Sequence, residues 1–204
     1  MSTTRSWPRT LWVATRSMLL LTLVLGVLFP ATILGVGQLA FPAQANGSMV
    51  HDPAHGQGAL GSSLIGQGFN DAAGNPDPAF FQPRPSAAGD GYDGAASSGS
   101  NHGPENAVLI EAIAARKAAY LAQNPGTEVA APDALTASAS GLDPHISIQN
   151  ALGQVARVSA ARSMDPERVS VLVAEEATGR DLGFLGERRV NVLELNIALA
   201  GLDN

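Results

Sequence analysis

The chain has 204 residues, and its 12 Lys+Arg against 18 Asp+Glu give a formal net charge of -6 at pH 7. This mild excess of acid gives no reason to expect a nucleic-acid partner. The absence of cysteine excludes disulfide scaffolds, thiolate zinc sites and cysteine nucleophiles. Aromatic residues make up only 5% of the chain, so we expect core packing to rest on Val, Leu, Ile and Ala.

A long uncharged stretch near the N-terminus predicts a membrane-spanning helix. No charged residue occurs from Ser17 to Val50, and the most apolar part of this stretch runs from Met18 to Ala40. A helix needs about 20 apolar residues to cross the hydrocarbon core of a bilayer, so the segment is long enough. Pro30 lies inside the segment and removes one backbone hydrogen bond, which predicts a kink.

The charges on either side of this segment predict its orientation. Arg5, Arg9 and Arg16 precede the segment, and the next basic residue after it is Arg84. Basic residues concentrate on the cytoplasmic side of a membrane helix, so we expect a single-pass protein with a cytoplasmic N-terminus. The predicted organisation is a cytoplasmic segment, a transmembrane helix and an extracytoplasmic domain, at residues 1–16, 17–41 and 42–204.

A cleaved signal peptide is the alternative to an uncleaved anchor. Ala43-Gln44-Ala45 has the small-x-small form of a cleavage site. However, the apolar region of a signal peptide is only about 7–15 residues long. The apolar segment here is longer, which favours the uncleaved anchor and leaves cleavage after Ala45 as the open alternative.

The rest of the chain predicts an α/β (α+β) extracytoplasmic domain on the single N-terminal transmembrane helix. Residues 42–104 are rich in Gly and Pro and predict loops with short extended pieces, whereas residues 105–204 predict helices with short strands. A loop-rich stretch of this length is unusual inside a compact domain. We therefore expect this part of the domain either to be partly mobile or to lie against something larger, and the second alternative points to a partner.

Three helices are predicted in the second part from apolar residues that recur every three or four positions. They run from Pro104 to Gln123, from Ile148 to Arg162 and from Pro166 to Thr178. Ser147 and Asp165 have the side chains expected of N-caps for the second and third helices.

Shorter elements and helix-borne charges complete the prediction. Residues 189–195 alternate partly as a strand, and residues 195–200 predict either extended chain or a short helix. Further short strands are predicted around Val129 and Leu135. We expect the helix arginines to lie on solvated faces or to pair with nearby carboxylates; these arginines are Arg157, Arg162, Arg168 and Arg180.

No catalytic constellation is evident, and we assign no catalytic residue and no metal ligand. His51 and His55 lie four residues apart, but the intervening Pro53 argues against a helix and predicts a solvated loop. Asp143-Pro144-His145 resembles half of an acid/base pair. The preceding Gly141-Leu142 instead favours a turn in which Asp143 bonds to local backbone.

A small polar loop supplies the candidates for cofactor binding, which are Ser98, Gly99, Ser100 and Asn101. Such a loop can contact a phosphate, although it lacks the lysine of a P-loop and no strand is predicted before it. Gln67 and Gln154 are further polar candidates for a nucleotide-binding regulator.

Six strings in the same order resemble the KdpC family, the C-chain component of the Kdp potassium-transporting ATPase, a bacterial high-affinity potassium uptake complex. They extend from the end of the membrane segment to the C-terminal region. They are NGS at 46–48, GSSLIGQ at 61–67, FQPRPSA at 81–87, SGSN at 98–101, DALTASASGLDPHIS at 133–147 and RVNVLELN at 189–196. Two loops depart from the family pattern. The first differs at Ser98 and His102, where the family usually has glycine and leucine, and the second differs at Arg188, where the family often has proline.

The resemblance implies a non-catalytic accessory subunit of the bacterial cell membrane. Its partners would be KdpA, which is the channel-like potassium subunit, KdpB, which is the P-type ATPase that hydrolyses ATP, and the small KdpF. The accessory chain would stabilise the assembly and brace KdpA on the outer face. The alternative that the family implies is a catalytic chaperone that raises the ATP affinity of KdpB. With the domain outside and ATP inside, that effect would have to be allosteric.

Overall fold

The computed structural model describes residues 7–51 and 58–202 of the chain. The chain divides into two compact units, Met1–Ser48 and Met49–Asn204. The first unit is helical, and the second combines helices with short strands. The predicted fold class, a mixed domain that follows one N-terminal apolar helix, is therefore confirmed.

The first unit consists mainly of one long apolar helix. α1 (Trp7–Leu23), a π-helical turn (Val24–Leu28) and α2 (Phe29–Ala40) follow one another without a break. Together they span the 34 residues Trp7–Ala40. Within the described ranges this is the one helix that is long and apolar enough to cross a membrane.

The π-helical turn ends at Leu28, two residues before Pro30. A proline ring clashes with the carbonyl four residues earlier, which here belongs to Gly26 inside the turn. The Phe29 amide donates to the Val24 carbonyl five residues back, and this widens the helix at the point of the clash. The expected disturbance at Pro30 thus takes the form of a wider turn, and the helix continues through it.

The first unit ends with α3 (Pro42–Ala45) and a capping turn. Gly47 and Ser48 have positive φ angles of 86° and 49°, the left-handed conformation that ends helices. The Ser48 amide donates to the Ala43 carbonyl at 2.9 Å, and the Gly47 amide donates to the Gln44 carbonyl at 3.1 Å. This is the bonding pattern of a Schellman cap, so the NGS string at 46–48 is a helix C-cap.

The second unit contains two small antiparallel sheets. β1 (Met49–His51) pairs with β2 (Ala59–Ser62). The other sheet has the order β3-β5-β4, with β5 (Arg189–Asn191) between β3 (His145–Ser147) and β4 (Ala177–Thr178).

Five helices accompany these strands in the described part of the second unit. They are α4 (Ala107–Gln123), α5 (Pro132–Leu135), α6 (Ile148–Arg162), α7 (Pro166–Glu175) and α8 (Val192–Gly201). Both predicted N-caps are confirmed. Ser147 Oγ accepts from the Asn150 amide at 3.1 Å, and the Asp165 carboxylate accepts from the Glu167 amide at 3.0 Å.

The core lies where α6, α7, α8 and β5 meet. Aliphatic side chains dominate it, as expected from the low aromatic content. Phe81 is the exception, since it is fully buried although it comes from the loop-rich part of the chain. The buried cluster comprises Phe81, Ile146, Ala151, Val155, Val158, Val169, Leu172, Val173, Val190, Val192, Leu195 and Leu199.

Some predicted element bounds are wrong, each for a local reason. α4 begins at Ala107 and not at Pro104, because the Asn106 side chain accepts from the Val108 amide at 2.9 Å and caps the helix. α7 ends at Glu175, because Ala177 and Thr178 pair with β5.

The C-terminal and central predictions need similar correction. β5 stops at Asn191, whose side chain accepts from the Leu193 and Glu194 amides and starts α8, so residues 195–200 are helical. The predicted strands around Val129 and Leu135 are wrong. Val129 lies in no strand, and Leu135 lies in α5, which Pro132 starts.

Candidate functional site

Residues 77–86, here called the strap, cross the domain without forming a helix or a strand. Phe81 at the middle of the strap is fully buried. Pro78, Pro83 and Pro85 each remove a backbone donor. The remaining backbone groups need hydrogen-bond partners in the interior, and side chains of α6 and α8 supply many of them.

Arg157 of α6 is the main anchor of the strap. Its guanidinium donates to the carbonyl oxygens of Asp77 (3.3 Å), Pro78 (2.7 Å) and Phe80 (2.9 Å), to Asn124 Oδ1 (3.0 Å) and to Gln154 Oε1 (2.7 Å). The residue is 9% exposed, and burial lowers the pKa of Arg157 from its ordinary value. The buried charge is therefore stabilised by amide and carbonyl dipoles. This corrects the expectation that Arg157 solvates a helix face.

Gln154 joins the strap to a second set of buried polar groups. Its Oε1 accepts from the Gln82 amide at 2.7 Å, and its Nε2 donates to the Gln82 carbonyl at 3.0 Å. The same Nε2 donates to Asn150 Oδ1 at 3.0 Å, and Asn150 Nδ2 donates to the Asp133 carboxylate at 3.0 Å. Asp133 also accepts from the amide and hydroxyl of Ser147. A continuous network thus runs from α6 to α5.

Two further side chains hold the first half of the strap. Asn196 of α8 accepts from the Phe81 amide at 2.9 Å and donates to the Phe81 carbonyl at 3.0 Å. Arg162 Nε donates to the Ala79 carbonyl at 2.6 Å, and its guanidinium lies 4.8 Å from the centre of the Phe80 ring. Arg162 therefore also binds the strap through a hydrogen bond and a cation–π contact.

A polar cleft of ≈ 550 Å³ opens between the strap, residues 90–92, α4 and α6. Its lining includes Arg84, Tyr92, Arg116 and Tyr120. The Tyr120 hydroxyl donates to a backbone carbonyl of α6 at 3.1 Å, and burial raises the pKa of Tyr120 to about 12. Burial also raises the pKa of Tyr92, whose hydroxyl donates to the Arg84 carbonyl. Both phenols therefore stay protonated donors at neutral pH.

A charged cluster fixes the end of the strap. Arg84 Nη1 lies 3.0 Å from Asp143 Oδ2, and His145 Nδ1 lies 3.3 Å from Asp143 Oδ1. The His145 amide also donates to Asp143 Oδ1 at 3.0 Å, which confirms the predicted turn. Burial of the Asp143 carboxyl raises its pKa, but the His145 hydrogen bonds and the Arg84 charge outweigh this and hold the pKa below its ordinary value.

The candidate cofactor loop lies against the segment that precedes this turn. The Ser98 amide donates to the Ser140 carbonyl at 3.0 Å, so this backbone donor is already used. A Cβ on Gly99 would lie 2.6 Å from the Ala139 carbonyl oxygen, which explains the glycine. Ser100 and Asn101 are exposed. A role for Ser98–Asn101 in binding a cofactor stays a prediction.

The other nucleotide candidates lie apart from that loop. Gln154 faces the polar cleft, but four hydrogen bonds inside the protein already occupy its amide. Gln67 lines a separate apolar cleft beside α8. For the histidine pair, His55 lies outside the described residues, and His51 lies in β1. The structure therefore does not bring the sequence candidates together.

The residues that sequence reasoning missed are the buried polar side chains of the network. Asn150, Gln154 and Arg157 occupy positions i, i+4 and i+7 of α6, so they form one polar row along the helix. That row is the signal that could have found them. Leu152, whose spacing in the apolar pattern predicts a buried position, is 47% exposed.

Comparisons with known proteins place the chain in a family. Residues 11–201 match the sequence profile of KdpC, described as the K+-transporting ATPase, c chain. A protein of Kineococcus radiotolerans is 54% identical over 189 residues, which cover 90% of this chain and 91% of the relative. Proteins of Mycobacterium tuberculosis (47% identical, 94% of this chain and 97% of the relative) and Myxococcus xanthus (48%, 93% and 87%) match similarly. Each relative is named a potassium-transporting ATPase KdpC subunit.

Proposed function

The chain belongs to the KdpC family of K+-transporting ATPase c chains, and from this premise we propose that it is a non-catalytic accessory subunit of an ATP-driven high-affinity potassium uptake complex. It stabilises the assembly and braces the channel-like potassium subunit, KdpA, on the outer face of the membrane. Its other partners in this proposal are the P-type ATPase KdpB and the small KdpF.

The observation that carries this proposal is the fixation of the strap. A loop-rich surface braces a partner only if it keeps one shape. Arg157, Gln154 and Asn196 bind the strap backbone through multiple hydrogen bonds from buried positions. Such a satisfied polar network rigidifies the segment that it holds. The domain thus offers a rigid irregular surface on a chain that also carries an apolar helix long enough to be a membrane anchor.

The proposed topology follows from the sequence. Residues 17–41 form the transmembrane helix, residues 1–16 lie in the cytoplasm, and residues 42–204 lie outside. Arg9 and Arg16 lie in α1 before the uncharged stretch that begins at Ser17, and basic flanks favour the cytoplasmic side. A cysteine-accessibility assay tests this, because the natural chain has no cysteine. An impermeant reagent added outside intact cells should label Val129→Cys and not Ser2→Cys. The opposite labelling pattern would show that the chain has the reverse orientation.

Deletion of residues 1–41 tests the bracing role. We expect the shortened chain to lose co-purification with the other subunits and to lose potassium-dependent growth support at low potassium. The matched control replaces residues 17–41 by an unrelated single-span helix and keeps the arginines before it. Full transport by the shortened chain would contradict bracing from the membrane, whereas rescue by the control would assign the anchor a tethering role.

A second candidate function is a catalytic chaperone that raises the ATP affinity of KdpB. The polar cleft favours it, since its lining includes Arg84, Arg116 and Tyr92, and arginine and aromatic groups suit a nucleotide. With the domain outside and ATP inside, the chaperone acts allosterically, whereas direct ATP binding requires the opposite topology. Titration of the full chain with a fluorescent ATP analogue tests direct binding. The absence of saturable binding at millimolar concentration, with Arg116→Ala as the matched variant, would exclude it.

A further inference from the structure

The π-helical turn in the apolar helix takes the regular hydrogen-bond donors away from two backbone carbonyls. The Leu25 carbonyl would accept from the Phe29 amide in a regular helix, but that amide donates to the Val24 carbonyl. The next position along the chain is Pro30, which has no N–H. The Gly26 carbonyl loses its regular donor too, because the residue four positions on is again Pro30. The carbonyls of Leu25 and Gly26 are here called the freed carbonyls.

The freed carbonyls lie where a lipid environment would offer no hydrogen bond. Both residues lie inside the apolar stretch from Met18 to Ala40, in the one described helix that is long and apolar enough to cross a membrane. Hydrocarbon contains neither water nor other donors, so an unsatisfied backbone group is strongly unfavourable there. The freed carbonyls therefore need a donor from a protein side chain.

The side chains of the helix itself do not supply this donor. Within residues 18–37, the side chains that can donate are Thr22 and Thr32. A threonine hydroxyl in a helix reaches the carbonyl three or four residues before it. Thr32 follows this rule and donates to the Leu28 carbonyl at 2.7 Å. Thr22 precedes both freed carbonyls, so its hydroxyl faces carbonyls on the other side of it.

A glycine keeps the helix surface open beside the freed carbonyls. The Leu25 carbonyl belongs to the peptide group that joins Leu25 to Gly26. A Cβ at Gly26 would lie 3.9 Å from the Thr22 methyl group, which is an ordinary contact, so the packing of the chain itself does not require glycine there. Glycine weakens a helix relative to alanine, but at contacts between membrane helices it lets two backbones approach closely. Its position suits the approach of a second helix.

A second copy of the chain does not meet this need. It would bring the same two hydroxyls, and that of Thr32 already bonds within its own helix. In a parallel pair the Thr22 hydroxyl would lie roughly one turn too far toward the N-terminus, because helix carbonyls point toward the C-terminus. The donor therefore comes from a helix of a different protein.

We infer that the freed carbonyls of Leu25 and Gly26 dock a transmembrane helix of a partner subunit that presents a hydroxyl or amide donor at this depth. The inference rests on the proposed function, since the partner is a membrane-embedded subunit of the same complex. It deepens that function, because it adds a contact inside the membrane to the bracing on the outer face. The two surfaces are complementary in charge, since carbonyl oxygens carry partial negative charge and a donor hydrogen carries partial positive charge.

Pro30→Ala tests the inference in the assembled complex. Alanine restores the N–H at position 30, so we expect a regular helix in which the Leu25 and Gly26 carbonyls bond within the chain. Alanine also favours the helix intrinsically, so a lost association would not reflect a failure to fold. When the tagged variant is co-expressed with the natural chain and competes for the other subunits, we expect about 3- to 10-fold less of it in the purified complex.

Pro42→Ala is the matched control, since Pro42 starts α3 beyond the apolar helix. This variant should enter the complex as readily as the natural chain. Any result in which Pro30→Ala and Pro42→Ala enter the complex equally would overturn the inference, because the effect would then not depend on the freed carbonyls.

Solid-state NMR of the full chain in lipid bilayers reports on the Leu25 carbonyl directly. Carbonyl-¹³C leucine combined with ¹⁵N glycine selects Leu–Gly pairs, which include Leu25–Gly26 and, as an internal control in α2, Leu34–Gly35. A hydrogen bond moves a carbonyl signal downfield. We expect the Leu25 signal to move downfield when the chain is assembled with the other subunits, while the Leu34 signal stays. In Pro30→Ala the Leu25 signal should lie downfield already in the chain alone. A Leu25 signal that is the same in the natural chain alone and in the complex would overturn the inference.

Incorporation of the natural chain separates two failures. A natural chain that enters the complex, with Pro30→Ala entering equally well, contradicts the helix contact alone. A natural chain that does not co-purify with the other subunits contradicts the proposed accessory function, and the helix contact with it.

Discussion

The strap and the α6–α7 helix pair lie in one domain but keep their order by different means. In the helix pair the backbone amides beyond the first turn bond within their own helix, and the apolar side chains of Val155, Val158, Val169 and Val173 are buried between the elements. The strap has no regular backbone ladder. Its carbonyls are held by a few side chains, chiefly Arg157, Gln154 and Asn196.

This difference determines how each region responds to substitution. Order in the helix pair is distributed, because many backbone bonds and apolar contacts each contribute a little. Order in the strap is concentrated, because Arg157 alone binds three strap carbonyls. Removal of one such side chain leaves several buried acceptors without partners at once. The strap should therefore open locally while the helix pair remains folded.

Arg157→Ala tests this contrast most strongly. We expect a loss of about 4 kcal/mol in the free energy of unfolding, because a buried multiply bonded cation is removed and its carbonyl partners stay buried. Urea-dependent proteolysis of the full chain in detergent measures the loss. Hydrogen exchange should rise in residues 77–86 before it rises in α7.

Arg168→Ala is the matched control for this substitution. Arg168 lies on α7 and is exposed, so its loss should change the stability by no more than about 0.5 kcal/mol. Equal losses in the two variants would remove the distinction between an anchoring arginine and a solvated one. The same would follow if exchange in Arg157→Ala rose uniformly across the domain.

Leu172→Ala tests the other side of the comparison. Leu172 on α7 is 7% exposed and belongs to the apolar cluster. Loss of its side chain leaves a cavity and should cost about 3 kcal/mol. Here we expect exchange to rise across α6 and α7 together, with the strap opening only on global unfolding. Leu152→Ala, at a 47% exposed position of α6, is the control and should cost far less.

The same contrast decides what the sequence could predict. α6 begins where expected and α7 starts at Pro166, because Ser147 and Asp165 are local capping signals beside a regular apolar pattern. The strap partners are distant in sequence, since Arg157 and Pro78 are 79 residues apart. A single arginine on a helix predicts a solvated face by default. Only its place in the row with Asn150 and Gln154 points inward, and that row becomes meaningful once the strap backbone is known to need partners.

The candidate site divides in the same way. The turn at Asp143 could be predicted because the Asp143 carboxylate and the His145 amide that it bonds are only two residues apart in the sequence. The polar cleft was not, because α4, α6, residues 90–92 and the strap come together only in the folded chain. For the Ser98–Asn101 loop, composition predicted a contact with phosphate. The structure adds that the loop pairs with the Ser140 backbone, which sequence spacing does not encode.

Asp143→Asn probes the end of the strap through pH. The pKa of Asp143 lies below its ordinary value in the folded chain, so its ionised form stabilises the fold above about pH 4. That stabilisation is lost as the pH falls through the lowered pKa. We expect the variant to be less stable by roughly 1 kcal/mol at pH 6 and to converge with the natural chain at low pH. Asp181→Asn is the control, because Asp181 is 66% exposed and its contact with Arg189 is 3.6 Å long. A difference that persists unchanged to low pH would contradict the role of the Asp143 charge.

Asn106→Ala examines the boundary between the loop-rich segment and the first helix of the domain. The Asn106 side chain accepts from the Val108 amide at 2.9 Å, so its removal leaves one end of α4 uncapped. We expect a loss of about 0.5–1 kcal/mol and faster hydrogen exchange limited to the first turn of α4. Pro104→Ala is the matched variant, since Pro104 lies outside the helix and its change should leave that turn protected. Fraying of the first turn with Pro104→Ala, and none with Asn106→Ala, would instead support a helix that starts at Pro104, as the sequence predicted. It would also move the boundary of the irregular segment by three residues, because the backbone of Glu105 and Asn106 would then belong to a regular ladder.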